Sequence, residues 1–394
     1  MEKTMKSRQK TANIFLTGAT GFLGAFLLYE LLEQTPATIY CLVRAEYEKA
    51  GFQRLENALK QYSLWDERKR NRIVPVLGNL SVPLLGLSPT QFDNLAKTLD
   101  VVYHNGGSVN FLYPYSVLKA ANVQGTHEVL RLACQAKVKP VHFISTVGVF
   151  SPIAYGDRDV VREGDALDRT EGLYGYTQSK WVAEKLIETA RDRGLPVTIH
   201  RPFWIEGHSQ TGVCNKSDFL RSAIAGCVQF GTAPDWQMRV DIVPVDFLSR
   251  AIVRICRQKS SFDKAFHYSN PRAISWNQLI RWMQEFGYSI EQQPAQHWIA
   301  QTIDRLPQSP DNALYPFLPF FSERIPGQSM SVPETYFQTK PLKFDCQNTW
   351  DGLAGTDIIC PPVDDKLLKT YFSYFIKTGF LPEPVESEAE LAAS

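Results

Sequence analysis

Short apolar runs alternate along the chain with longer segments in which apolar residues recur every three or four positions. The runs have the length and composition of buried strands, and the recurring segments follow the period of a helix. Strands are predicted at 13–16, 38–43, 72–78, 100–104, 141–144, 197–200 and 266–269. Helices are predicted at 22–32, 114–136, 174–193, 220–230, 247–258, 276–286 and 296–306, with a polar helical insertion at 46–70. This alternation predicts an α/β fold, a Rossmann-type doubly wound parallel sheet that binds ligands at the carboxyl ends of its strands.

Composition narrows the class of protein only a little. The 394 residues suffice for one large or two modest domains, and 21% charged residues with a net charge of +1 give no reason to expect a nucleic-acid partner. The seven cysteines are scattered without a C-x-x-C pair, so we expect reduced thiols, no metal site and a cytoplasmic protein. We find neither an apolar stretch of membrane-spanning length nor the apolar core of a signal peptide.

Three glycines stand between the first predicted strand and the first predicted helix, in the segment Thr-Gly-Ala-Thr-Gly-Phe-Leu-Gly at 17–24. Glycine lets main-chain N–H groups approach a ligand, and a helix start adds unpaired donors and a positive dipole end. This combination predicts a cradle for the diphosphate of a dinucleotide; the alternative is a turn whose glycines only pack helix against strand. The candidate cofactor-binding residues here are Thr17, Gly18, Thr20, Gly21, Phe22, Leu23 and Gly24.

Arg44 directly follows the second strand, where this fold places the adenosine ribose. A guanidinium group suits a 2′-phosphate, and an acidic residue would suit a free 2′-hydroxyl, so Arg44 favours NADP over NAD. The alternative is a solvated surface arginine.

Two later strands end in polar or glycine residues. Asn79 and Leu80 follow the third strand, where an adenine edge is read. Asn105, Gly106 and Gly107 follow the fourth strand, and their glycines let the main chain approach the middle of the cofactor.

Tyr176 and Lys180 are four residues apart and share one face of a predicted helix. A nearby ammonium group lowers the pKa of a phenol, which makes Tyr176 a candidate general acid near neutral pH, and Lys180 can also bond the nicotinamide ribose. Tyr174 has no lysine four residues on, so Tyr176 is the preferred acid. Taken alone, such a pair is also typical of a solvated helix face.

With these residues in order, the chain resembles the extended short-chain dehydrogenase/reductases. Within them it resembles the thioester reductases, which include the reductase domains of nonribosomal peptide and polyketide synthetases, aminoadipate reductases and carboxylic acid reductases. The matching segments are 17–24, 41–44, 104–107, 122–126, 144–146, 174–181, 201–202, 241–246 and 371–381. Two positions depart from the family pattern, with Asn79 in place of an aspartate and Phe203 in place of a glycine.

The resemblance implies NADPH-dependent reduction of a carrier-bound acyl or peptidyl thioester to an aldehyde, and possible further reduction to the alcohol, in secondary metabolism. It implies that Thr146 and Tyr176 donate to the carbonyl oxygen, that Lys180 assists, and that Asn122 and Pro202 join the cofactor site. The expected partner is an acyl- or peptidyl-carrier protein with phosphopantetheine, which meets a monomeric enzyme in trans because the sequence contains no carrier domain. The alternatives are a fatty acyl-CoA or acyl-carrier-protein reductase, another extended reductase or epimerase, and a non-catalytic NADP sensor.

The sequence divides into a core, an interleaved region and two tails. We predict a disordered tail at 1–12, an NADP-binding Rossmann core at 13–204, a substrate-region insert at 205–240, a return to the core at 241–270, a C-terminal substrate-binding region at 271–382 and a disordered tail at 383–394. The apolar, proline-broken segment at 315–321 either lines an acyl or pantetheine channel or packs in the core.

Overall fold

The structure, a computed structural model, describes residues 12–384 except 216, 217, 326 and 338. The tails predicted at 1–12 and 383–394 lie almost entirely outside the described residues. Within the described chain the strands are β1 Asn13–Thr17, β2 Thr38–Val43, β3 Ile73–Leu77, β4 Val101–His104, β5 Val141–Ile144, β6 Val197–Pro202, β7 Trp204–Glu206, β8 Thr232–Asp235, β9 Arg239–Val240, β10 Ile242–Pro244, β11 Lys264–Tyr268, β12 Ile274–Ser275 and β13 Glu291–Pro294.

The helices lie between and after these strands, and three of them are single turns or little more. They are α1 Phe22–Gln34, α2 Glu48–Gln61, α3 Pro89–Thr98, α4 Tyr115–Lys119, α5 Gly125–Cys134, α6 Pro152–Tyr155, α7 Gly175–Asp192, α8 Phe219–Phe230, α9 Val245–Cys256, α10 Trp276–Glu285, α11 Ala295–Arg305, α12 Leu318–Ser322, α13 Val332–Phe337, α14 Gln347–Leu353 and α15 Asp365–Lys377. Among the described residues, none of these helices is long and apolar enough to cross a membrane.

Seven strands form one parallel sheet in the order β11-β6-β5-β4-β1-β2-β3. The predicted α/β fold with a doubly wound parallel sheet is therefore confirmed. The chain runs outward from β1 through β2 to β3 and then returns to β4 on the other side of β1. In open α/β sheets this switch point opens a crevice at the carboxyl ends of the strands, and ligands bind there.

Alternation along the strands gives the sheet two buried faces. Phe15 and Leu16 are both fully buried, yet they belong to different hydrophobic clusters on opposite faces of the sheet. The Leu16 cluster includes α1 and α9, and the Phe15 cluster includes α3, α5 and α7. Burial on both sides is what favours the nearly continuous apolar runs of β1 and its neighbours.

Two predicted elements differ from the structure. The helix predicted at 114–136 is divided by one turn of π-helix at Ala120–Gln124, between α4 and α5. The segment 241–246, predicted as an edge of the core, does not pair with the seven-stranded sheet; β10 pairs with β7 in a separate two-stranded sheet.

A third hydrophobic cluster lies beyond the sheet and gathers residues from α8, α10, α11, α12 and α15. Trp236 and Trp276 are among its fully buried side chains, with ring centroids 5.0 Å apart. This cluster and the glycine turn both contribute residues to the wall of the same cavity. The domain boundaries drawn from the sequence stay a prediction.

Candidate active site

One cavity of about 920 Å³ lies at the carboxyl ends of the central strands. Its wall brings together sixteen of the residues predicted from the sequence, contributed by segments from 18 to 202. They are Gly18, Thr20, Gly21, Phe22, Leu23, Gly24, Arg44, Asn79, Leu80, Asn105, Gly106, Gly107, Thr146, Tyr176, Lys180 and Pro202.

The turn between β1 and α1 needs glycine at two positions for steric reasons. Gly18 has a φ of +74°, and a Cβ atom there would lie 2.8 Å from the Cα atom of Gly106. A Cβ atom on Gly24 would lie 1.9 Å from the carbonyl oxygen of Gly18. Helix α1 begins after Gly21, and no side chain of the described residues caps it or places an acidic group in its first turn. The amides at this helix start therefore remain available to an anion in the cavity.

Thr17 lies behind this wall and does not line the cavity in the described structure. Its hydroxyl accepts a hydrogen bond from the Gly106 amide at 2.8 Å and pairs with Nδ1 of His104 at 2.8 Å. Burial lowers the pKa of His104 to about 3, so the ring is neutral, and its Nε2 pairs with the Thr126 hydroxyl at 2.9 Å. Thr17 thus fixes the loop after β4, and its membership of the cofactor site stays a prediction.

Asn122 also lies behind the wall, within the π-helical turn. Its Oδ1 accepts from the Ser108 amide at 2.6 Å, and its Nδ2 donates to the Ser108 carbonyl at 3.0 Å and to the Ser179 hydroxyl at 2.8 Å. Asn122 therefore ties the loop after β4 to α7. Turns of π-helix are frequent at functional sites, where they direct one side chain out of the helical register.

At the outer rim, Arg44 is joined by a second arginine that sequence reasoning missed. Arg54, on α2, also lines the cavity, and its Nη1 donates to the carbonyl oxygen of Arg44 at 2.6 Å. Both side chains are exposed, and no ion pair among the described residues involves either. The polar pattern at 46–70 offered no signal that singled out Arg54 among several basic residues.

Tyr176 and Lys180 lie one turn apart on α7 and both line the cavity. The half-buried Tyr176 ring packs edge-on against Phe111, with centroids 5.7 Å apart, and burial raises the pKa of its phenol to about 12. Nζ of Lys180 donates to the Ile144 carbonyl at 2.6 Å and lies 4.2 Å from the centroid of the Phe143 ring. Burial lowers the pKa of Lys180 to about 8.

The prediction that Lys180 brings the pKa of Tyr176 down toward neutrality is therefore wrong for this structure. Desolvation of the phenolate outweighs any attraction from the ammonium, which is directed to a main-chain carbonyl and an aromatic face. Tyr176 stays protonated through the physiological range.

Thr146 caps a short turn after β5, where its Oγ1 accepts from the Gly148 amide at 3.1 Å and its hydroxyl proton can still be donated.

A buried ion pair holds α7 against the sheet, and the sequence pattern did not predict it. Glu184 accepts from Nε of Arg201 at 2.9 Å and from the Ser145 hydroxyl. The Arg201 and Glu184 side chains are 2% and 0% exposed. Separating the two side chains would leave an uncompensated buried charge, which is costly. The pair therefore holds α7, the helix that carries Tyr176 and Lys180, in a fixed position relative to β5 and β6.

The end of the cavity away from the arginines is mainly aromatic. Phe219, Phe320, Phe337, Phe344 and Trp204 line it. Of the segment at 315–321, Phe320 is on the cavity wall while Phe321 is buried in the neighbouring cluster. Both phenylalanines belong to that cluster, so the segment packs in the core, and its role in an acyl channel stays a prediction.

One group of potential metal ligands lies elsewhere, in the core. His142, His200 and Cys256 place ligand atoms within 4.8 Å of one another. Thr198 bonds to both rings at 2.8 Å, the Tyr268 hydroxyl bonds to His200 Nδ1 at 2.7 Å, and burial lowers the pKa of both histidines. Ring nitrogens of both histidines are thus hydrogen-bonded to protein side chains, and we interpret this group as part of the core.

The sheet order, the glycine turn and the position of the Tyr-x-x-x-Lys helix are those of the extended short-chain dehydrogenase/reductases. The family model described as "Male sterility protein" matches residues 16–252, and the chain belongs to that family.

Comparison with individual proteins narrows the family further. The chain is 41% identical to the terminal R domain from the myxalamid PKS-NRPS biosynthetic pathway, with a TM-score of 0.87 over 95% of this chain and 93% of that one. It is 43% identical over 369 residues to a linear gramicidin synthase of Brevibacillus parabrevis, and 32% identical over 410 residues to L-2-aminoadipate reductase of Saccharomyces cerevisiae. The resemblance to terminal reductase domains inferred from the sequence is confirmed.

The gramicidin synthase and the aminoadipate reductase are much longer than the chain. The alignments cover 93% and 98% of this chain but only 7% and 29% of these relatives. The chain therefore corresponds to one part of each relative.

Proposed function

We propose that this chain is an NADPH-dependent reductase that converts a carrier-bound acyl or peptidyl thioester to an aldehyde. The observation that carries the proposal is that Tyr176 and Lys180 line the same cavity as the glycine turn and a group of aromatic side chains. The similarity to a terminal R domain of a synthetase pathway supports it. The buried thiols are in keeping with a reducing, cytoplasmic setting.

The donors at the dinucleotide end fit NADP. The uncapped start of α1 and the close approach of Gly18 to Gly106 suit a diphosphate. Arg44 and Arg54 together suit the extra charge of a 2′-phosphate, because a phosphate with two guanidinium partners gains charge-assisted hydrogen bonds that a hydroxyl does not.

In the proposed reaction the bound cofactor supplies hydride to the thioester carbonyl carbon. Tyr176 donates its proton to the carbonyl oxygen as negative charge develops there, and the Thr146 hydroxyl donates a second hydrogen bond. Lys180 uses one ammonium proton for the Ile144 carbonyl and has two left for a ribose hydroxyl. The carbon–sulfur bond of the resulting thiohemiacetal then breaks, which releases a thiol and leaves the aldehyde.

The proposed partner is an acyl- or peptidyl-carrier protein that presents the thioester on phosphopantetheine. The test is single-turnover NADPH oxidation with one acyl group offered as carrier thioester, as CoA thioester and as free acid. We expect the carrier form to react fastest, the CoA form weakly and the free acid not at all, because a carboxylate is a poor hydride acceptor. Two NADPH consumed per thioester would identify the alcohol as the product.

Equal efficiency of the CoA thioester and every carrier tested would make the enzyme an acyl-CoA reductase. Reaction of a ketone or a sugar nucleotide, with no thioester reduced, would overturn the proposal. Each assay is run with NADPH and with NADH at equal concentration. This comparison tests the preference for NADPH separately from the identity of the thioester substrate.

A further inference from the structure

The aromatic wall of the cavity is continuous and begins at the proposed proton donor. The Tyr176 ring lies 5.7 Å from Phe111, and Phe111 lies 6.4 Å from Phe320. Phe320 is 4.7 Å from Phe219, which is 5.6 Å from Phe337. All five residues line the cavity, so a ligand that extends from Tyr176 passes along ring faces and edges.

The same series of ring contacts continues beyond Phe337. Phe337 lies 6.3 Å from Trp204, Trp204 lies 5.6 Å from Phe203, and Phe203 lies 6.1 Å from Phe344. These residues also line the cavity. Phe203 directly follows Pro202 at the end of β6, so the wall reaches the proposed nicotinamide side of the cavity.

The charged groups described at this end are already engaged within the protein. Arg239 donates to Asp241 at 3.2 Å and to the Asn270 carbonyl at 2.7 Å, and the Asp241 side chain is only 1% exposed. Asp218 accepts from the Leu220 amide at 2.8 Å as the cap of α8. A ligand carboxylate would therefore find Arg239 neutralised by a buried partner.

We propose that the acyl group reduced by this chain is apolar and extended, and that the ring wall selects it against short or carboxylated acyl groups. This inference rests on the proposed thioester reductase function and names its substrate class. Each methylene buried against the wall should improve kcat/KM about fourfold, because burial of apolar surface drives its transfer from water. A terminal carboxylate would lose hydration without gaining a free counter-charge.

The first experiment uses pantetheine thioesters of butanoyl, hexanoyl, octanoyl and adipyl groups with NADPH. From butanoyl to octanoyl we expect kcat/KM to rise on the order of 10²-fold. Adipyl has the same number of carbons as hexanoyl, and we expect it to react at least about tenfold more slowly. A flat dependence on chain length, or a preference for adipyl, would overturn the inference.

A matched pair of variants tests the wall itself. Phe320 and Phe321 are neighbours on α12 with exposures of 5% and 2%, and of the two only Phe320 lines the cavity. Phe320→Ala should reduce the octanoyl-to-butanoyl ratio of kcat/KM roughly tenfold, because it removes apolar contact from the bound chain. Phe321→Ala should lower the melting temperature comparably and leave the ratio unchanged. Equal ratios in the two variants would overturn the assignment of the wall.

A binding measurement separates failure of this inference from failure of the proposed function. Calorimetry with the thioethers S-butyl- and S-octyl-pantetheine, which cannot be reduced, reports on the wall without turnover. If every thioester is reduced at one rate and both thioethers bind equally, the inferred selectivity is wrong and the proposed reductase function stands. If the octyl thioether binds more tightly and no thioester is reduced, the apolar wall is supported and the proposed reductase function is wrong.

Discussion

The proposed dinucleotide end and the proposed acyl end of the cavity are built by different means. The first is made of main chain at the ends of neighbouring strands, with glycines such as Gly18 and Gly24 that admit no Cβ atom. The second is made of large side chains from segments as far apart as Phe111 and Phe344. A main-chain site depends on local sequence, whereas a side-chain wall depends on which distant segments the fold brings together.

Tyr176 lies where the two ends meet, and its removal should have the largest effect. Tyr176→Phe should lower turnover by about 10²–10⁴-fold, the usual contribution of a general acid, because only the phenolic proton is lost. NADPH affinity and octanoyl selectivity should both stay within about twofold of the parent, since the aromatic ring at position 176 is kept and no other contact of the cavity changes. Stopped-flow NADPH oxidation and calorimetric titration measure the two quantities.

Tyr174→Phe is the matched control for this prediction, since Tyr174 also lines the cavity and contacts the same ring of Phe111 at 6.1 Å. It should leave turnover nearly unchanged. If Tyr174→Phe were the damaging substitution and Tyr176→Phe harmless, the assignment of the acid would be in the wrong register.

The outer tip of the dinucleotide end should control the choice between cofactors. Arg44→Ala should raise the dissociation constant for NADPH about tenfold or more, since a hydrogen bond to a charged group contributes roughly 1.5–3 kcal/mol. Arg54→Ala should act in the same direction, because Arg54 both lines the rim and supports Arg44. The constant for NADH should hardly change in either variant, because NADH lacks the 2′-phosphate.

Fluorescence titration with both cofactors measures these constants. Equal losses for NADPH and NADH would show that the arginines act on something other than the 2′-phosphate. The octanoyl-to-butanoyl ratio serves as an internal control, since a change at the dinucleotide tip should not alter selection at the aromatic wall.

The contrast between the two ends also explains what the sequence could and could not predict. Strands β2 and β5 were predicted to the residue, because an apolar run bounded by polar residues is a local signal. The glycine turn was predicted for the same reason. Arg54 was not predicted, and of the ring wall only the segment with Phe320 was proposed as a lining, since both depend on which distant side chains packing brings to the cavity.

Electrostatics at the site was the least predictable part. The spacing of Tyr176 and Lys180 correctly placed both on one face of α7, but it did not reveal how deeply each is buried. Burial reverses the expected direction of the pKa shift at Tyr176. Similarly, the glycine segment and the family resemblance suggested cofactor contacts for Thr17 and Asn122, and the structure adds hydrogen bonds with the protein that the sequence did not predict.

Lys180 and Tyr176 titrate at different pH values, so the pH dependence of activity distinguishes them. Burial gives Lys180 a pKa of about 8, so its ammonium is lost above that pH, whereas Tyr176, with a pKa of about 12, does not ionise there. At pH 9 about one tenth of Lys180 remains charged, and kcat/KM should be about tenfold lower than at pH 7. The stability of the fold should change with pH in the opposite direction to activity. The pKa of Lys180 is 10.5 in the unfolded chain and about 8 in the folded one, so the unfolded state binds more protons between these two pH values. The free energy of unfolding should therefore rise with pH across this range.

Two substitutions and one spectrum decide which group causes the alkaline loss of activity. Lys180→Arg should remove the loss, because a guanidinium stays charged. Lys139 is the matched control: burial lowers its pKa to about 8 as well, it donates to main-chain carbonyls such as Gln135 at 2.8 Å, and it is not on the described cavity wall. Lys139→Gln should therefore keep the loss. The absorbance of tyrosinate at alkaline pH is compared between the parent and Tyr176→Phe. A phenolate that appears near pH 8 in the parent and is absent in the variant would contradict this prediction. It would assign the titration to Tyr176 and support the coupling to Lys180 that their spacing suggested.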